Sequence, residues 1–111
     1  MIDLLKKIFV KSDKNISTWA LEETLANKKI TLLDVRTSQE YHRGHIKEAR
    51  PFPLETINQY RGSKEQPIYV ICQSGMRSKR AAKILNQNGY EVINVRGGMS
   101  AWGGKMIGGK S

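Results

Sequence analysis

The chain has 111 residues, 19 Lys and Arg against 10 Asp and Glu (a net charge of +9), and a single cysteine. That length suits one small layered domain and is too short for two. One Cys and two His exclude an internal disulfide framework and argue against a structural zinc site, and no apolar stretch approaches the roughly 20 residues of a membrane-spanning helix.

In chain order, residues 1–15 form a basic lead-in, with Lys6, Lys7, Lys11 and Lys14 around Leu4, Leu5, Ile8 and Phe9. Charge interrupts this stretch and no small-residue cleavage site follows, so it is not read as a signal peptide, and a reducing, cytoplasmic setting is expected. Ser17 is placed to cap a helix running to about Ala26, with Leu21 and Leu25 on one face and Glu22 and Glu23 near its positive end. The apolar run from Thr31 to Val35 predicts a buried strand. Thr37-Ser38-Gln39-Glu40 matches a capping box and opens a short helix stopped at Gly44. A further helix is expected after Pro53, from Leu54 to about Tyr60. Ile68 to Ile71 is a second buried strand, ending at Cys72. A helix from about Ser78 to Asn88 buries Ala81, Ala82, Ile84 and Leu85 and stops at Gly89, and Glu91 to Val95 is a third strand. Six of the ten glycines follow Val95, so residues 103–111 are expected to be a loose tail.

Strands without polar alternation, separated by helices, predict an α/β domain with a mainly parallel sheet covered on both faces. Ligands of such sheets sit beyond the carboxyl ends of the strands, where Asp34 and Cys72 each close one. Cys72-Gln73-Ser74-Gly75-Met76-Arg77 joins a strand to a helix. Gly75 permits the backbone to curl, so that successive N–H groups and the helix start converge on an anion site. Arg77 adds a permanent cation in the same turn. Free cysteines are commonly inert packing residues, yet this combination describes a reactive thiolate in an anion cradle. His42 and His45 are read as surface or packing residues, completing no Cys-His dyad. Asp34, Arg36 and Glu40 are expected to make a structural ion pair or to cap a loop, supporting the chemistry without performing it. Trp102 is read as a core or edge residue closing the domain after the Gly97-Gly98 turn.

Three segments together resemble the rhodanese (sulfurtransferase) family over roughly Ile16 to Trp102. They are Leu32-Leu33-Asp34-Val35-Arg36 with Glu40-Tyr41 and Gly44-His45-Ile46, then Val70-Ile71-Cys72 with Gln73 to Ser78, and finally Gly97-Gly98-Met99-Ser100-Ala101-Trp102. The resemblance implies a three-layer fold over residues 16–102, a mainly parallel sheet flanked by helices. It also implies that Cys72 takes a sulfane sulfur from a small anion such as thiosulfate or from a persulfide, and passes it to a thiol or cyanide. Gln73, Ser74, Gly75, Met76 and Arg77 would then be the substrate loop and Asp34 and Arg36 its support, with no metal or organic cofactor required, and the chain acting as a monomer. The chain departs from the family after Ile46: Lys47-Glu48-Ala49-Arg50-Pro51-Phe52-Pro53 carries Glu48 where a Gly is usual and Pro51 where an Asn is usual, which bears on the pocket rim. The enzymatic rival is a cysteine phosphatase, whose loop places five residues between Cys and Arg, where this chain has four, Gln73 to Met76. A non-catalytic binding module is the other alternative. The basic residues are dispersed, with no long like-charge run and no interleaved aromatic ladder, so the charge is read as a solvated surface that steers anions and not as a specific nucleic-acid site.

Overall fold

The computed structural model describes residues 14–108. The expected lead-in up to residue 13 and the last three residues of the expected tail lie outside them. Five strands run β1 (Asn15–Ile16), β2 (Thr31–Asp34), β3 (Ala49–Pro51), β4 (Ile68–Ile71) and β5 (Val92–Val95). They form one sheet in the order β1-β5-β4-β2-β3, and every pairing is parallel. The helices are α1 (Thr18–Asn27), α2 (Ser38–Arg43), α3 (Met76–Gln87) and α4 (Gly98–Ala101), with a 3-10 helix over Leu54–Gln59. Among the described residues, no helix is long and apolar enough to cross a membrane.

Alternate side chains of each strand feed opposite layers, as the pleat requires. Leu33, Val70 and Val92 pack on one face with Ala81 and Leu85 of α3 and Ile57 of the 3-10 helix. Leu32, Ile71 and Val95 pack on the other with Leu21 of α1 and Met99 of α4. Both faces are covered, which explains why β2 and β4 read as unbroken apolar runs. The side-chain oxygen of Ser17 accepts the Ala20 N–H as the cap of α1, and Thr37 with Glu40 forms the complete capping box of α2.

The expected α/β class and parallel sheet are therefore observed, with differences at the margins. β1 is two residues long and β3 carries Pro51 at the sheet edge, where a missing N–H does no harm; neither has a strand-like pattern in the sequence. The helix expected from Leu54 is 3-10, and α3 starts at Met76 instead of Ser78. The described part of the expected loose tail is tied down. His45 and Ile107 exchange backbone hydrogen bonds of 2.9 and 2.8 Å, and the Trp102 indole donates to the Lys105 carbonyl at 3.1 Å.

Candidate active site

β4 lies inside the sheet, so the residue that follows it emerges from the middle of the crevice. That residue is Cys72, which is fully buried. The chain then turns through Gln73 and Ser74 to Gly75, whose φ of 105° is left-handed and which caps the start of α3. This turn brings the Gly75 N–H onto Cys72 Sγ at 3.0 Å. The Ser78 hydroxyl, buried one turn into α3, lies 3.4 Å from the same sulfur and donates to the Gly75 carbonyl at 3.2 Å. The first N–H groups of α3, from Met76 onward, have no carbonyl within their own helix and point back toward this loop. Partial positive charge thus collects around the thiol from backbone alone.

The outer side of the loop is held by α4. Its Met99 and Ser100 N–H groups donate to the carbonyls of Cys72 at 2.8 Å and Gln73 at 2.9 Å. Two electron-rich oxygens are thereby committed to α4. The approach needs bare backbone: Gly98 has φ 58°, and a Cβ there would fall on the Cys72 carbonyl oxygen.

Asp34 and Arg36 form a buried pair beneath the loop. Asp34 Oδ1 accepts the Arg36 N–H at 3.1 Å and Nε–H at 2.9 Å, and Oδ2 accepts from an Nη at 2.8 Å. The guanidinium also donates to the Gly44 carbonyl at 2.8 Å and to Gln73 Oε1 at 3.3 Å. The expected structural ion pair is present, and it extends to the cysteine loop through Gln73.

Arg77 is differently engaged from the expectation of a cation given to the cradle. Its two Nη groups form a bidentate fork on Glu40, at 2.7 and 2.9 Å. These bonds hold the Glu40 carboxyl down from its ordinary 4.5 to about 2, against partial burial, with Thr37 assisting. The pairing raises the Arg77 value in turn. Glu40 therefore serves both the capping box of α2 and the arginine at the start of α3. Met76 and Ser74 are exposed at the loop tip. His42 is exposed, and His45 stacks on Tyr41 at 3.6 Å with Nδ1 at 2.8 Å from its carbonyl, so His45 packs, as expected.

The structure thus gathers Asp34, Arg36, Cys72, Gln73 and Gly75 into one assembly and leaves Arg77 at its rim. Ser78 and the backbone of Gly98 to Ser100 belong to it as well, although residue chemistry alone does not single them out. Their signals are slight: a serine one turn beyond the cysteine, and a Gly pair preceding a turn.

The sequence profile of the rhodanese-like domain matches residues 17–105. The uncharacterized protein YqhL of Bacillus subtilis is 38% identical over 102 residues, covering 88% of this chain and 81% of that one. The thiosulfate sulfurtransferase GlpE of Pseudoalteromonas translucida is 34% identical over 92 residues, covering 80% and 88%. Among solved structures, a rhodanese-like domain protein from Staphylococcus aureus superposes with a TM-score of 0.78 at 36% identity, covering 88% of this chain and 99% of that one.

Proposed function

The chain belongs to the rhodanese-like family and is a sulfurtransferase, and from that premise we propose that Cys72 is the residue that carries the sulfur. The observation that supports this best is the Gly75 N–H held 3.0 Å from Cys72 Sγ, at the start of a helix.

The thiolate of Cys72 attacks the sulfane sulfur of a donor such as thiosulfate. A bond forms from Sγ to that sulfur, the donor's S–S bond breaks, and sulfite leaves with the electron pair. A thiolate or cyanide then attacks the outer sulfur, and Cys72 departs as thiolate with the pair from the S–S bond. Both displacements pass negative charge through sulfur atoms, and the loop's N–H groups meet that charge already oriented. Splitting the exchange in two predicts ping-pong kinetics. Gln73 and Gly75 shape the cradle, Arg36 on Asp34 braces Gln73, and Arg77 with Glu40 fastens α3 to α2. The commitment of the Arg77 fork to Glu40, with only four residues between Cys72 and Arg77, argues against the phosphatase alternative, which needs that fork on a phosphoryl group.

Intact-protein mass spectrometry after thiosulfate treatment tests the proposal. Wild-type protein gains one sulfur and loses it on cyanide addition, whereas Cys72→Ser gains none while keeping its thermal transition. Sulfur uptake by the folded Ser variant would overturn the assignment.

A further inference from the structure

A groove of about 810 Å³ runs between α3 and the β1 edge of the sheet, beginning at Met76 beside the cysteine loop. Lys79, Arg80 and Lys83 line it; all three are exposed and, among the described residues, none has a recorded ion pair. They lie three, four and seven positions beyond Met76, which puts all four on one stripe of the helix, about 10 Å long. The groove floor includes Ala82, Val92 and Asn94. Asn94 is 7% exposed, and its Nδ2 donates to Asn15 at 3.3 Å.

We propose that this groove docks an acidic, extended segment of a partner protein whose thiol exchanges sulfur with Cys72; the thiol half of this statement rests on the function proposed above. Unpaired cations call for carboxylates, and the stripe ends where the sulfur is held. A nucleic acid would match the charge, but among the described residues no aromatic side chain lines the groove for base stacking. The chain's own lead-in sets Lys6, Lys7 and Lys11 against only Asp3 and Asp13, and a second copy carries +9, so both bring net positive charge to a positive stripe.

The probes are a fluorescein-labelled peptide of sequence Cys followed by three Glu-Ala-Ser repeats, and its counterpart with Gln for Glu. Fluorescence anisotropy on Cys72→Ser protein reads docking without sulfur chemistry, and transfer from sulfur-loaded wild type to each peptide reads kcat/KM. With three unpaired cations engaged, the acidic peptide is expected to bind about tenfold more tightly than the Gln peptide at low salt, and to accept sulfur with about tenfold higher kcat/KM. The triple variant Lys79→Gln, Arg80→Gln, Lys83→Gln brings both ratios to within about twofold, since surface charges act on encounter and rim contacts. Equal binding of the two peptides, or a preference that survives in the triple variant, overturns the docking site. Displacement of the acidic peptide by a single-stranded RNA of equal charge at lower concentration overturns it in favour of nucleic acid. Preference in binding without preference in transfer overturns the delivery role. If wild-type protein takes up no sulfur at all, the Cys72 assignment fails, and the anisotropy arm still decides the groove.

Discussion

Replacing Gly98 by Ala tests whether the cysteine loop is held open from behind. A Cβ at Gly98 falls on the Cys72 carbonyl oxygen and comes within 2.7 Å of the Gln73 oxygen and 2.8 Å of its carbon. All of these are backbone atoms, so no rotamer change relieves the overlap, and the loop or α4 has to move. Movement breaks the Met99 and Ser100 N–H bonds to the two loop carbonyls, at roughly 1 kcal/mol each. Holding a non-glycine residue in the left-handed region adds about 1–2 kcal/mol. The sum, about 3–4 kcal/mol, lowers the melting temperature by roughly 10–15 °C for a domain of this size. Two further alanines calibrate the result. At Gly75, with φ 105° and the Gly97 nitrogen at 3.5 Å, only the left-handed strain applies. At Gly103 nothing lies within 4 Å of the new atom, and the change stays within about 0.5 kcal/mol. Circular dichroism melts rank the three, and sulfur loading is measured well below the Gly98→Ala transition, where loading is slowed. If Gly98→Ala melts with Gly103→Ala, or loads sulfur at the wild-type rate, the bracing argument is wrong.

Glu40, held at about 2, stabilises the fold in full above the ordinary carboxylate value of 4.5 and loses that contribution as pH falls from there toward 2. The melting-temperature gap between wild type and Glu40→Gln should therefore close over that interval, and a gap independent of pH would dismiss the Arg77 pairing as its source. Arg36→Met strands the Asp34 carboxylate in the interior and should cost about 3–5 kcal/mol by urea denaturation, much of it recovered by adding Asp34→Leu. A single-variant cost under about 1 kcal/mol would show that the pair braces nothing.

The parallel sheet was legible because β2 and β4 are buried on both faces and their apolar runs admit few other readings. The caps at Ser17 and Thr37 were legible because hydroxyl, spacing and acid coincide. β1 and β3 were not: their place in the sheet comes from neighbours distant in sequence, Asn94 and Val95 for one and Leu32 to Asp34 for the other. The cysteine loop showed its glycine and its helix start, but the partner of Arg77 did not follow from local pattern. Glu40 is 37 residues away and reaches Arg77 only because α2 and α3 meet at the crevice. The role of α4 was hidden for the same reason, since its contribution is backbone N–H and carries no side-chain signature.

The strand order has a consequence for how the protein is made. β5, the last of the described strands to leave the ribosome, sits between β1 and β4, so β1 has no neighbour in the sheet until β5 has been made. Its bonds to Lys14 and Ile16 close a loop spanning most of the molecule, and such contacts form late and slowly. α4, which steadies the carbonyls of Cys72 and Gln73, emerges later still. A nascent chain stalled before Gly98 therefore displays the thiol without the support behind it. Synthesis itself withholds the finished pocket until Gly98–Ala101 has been released.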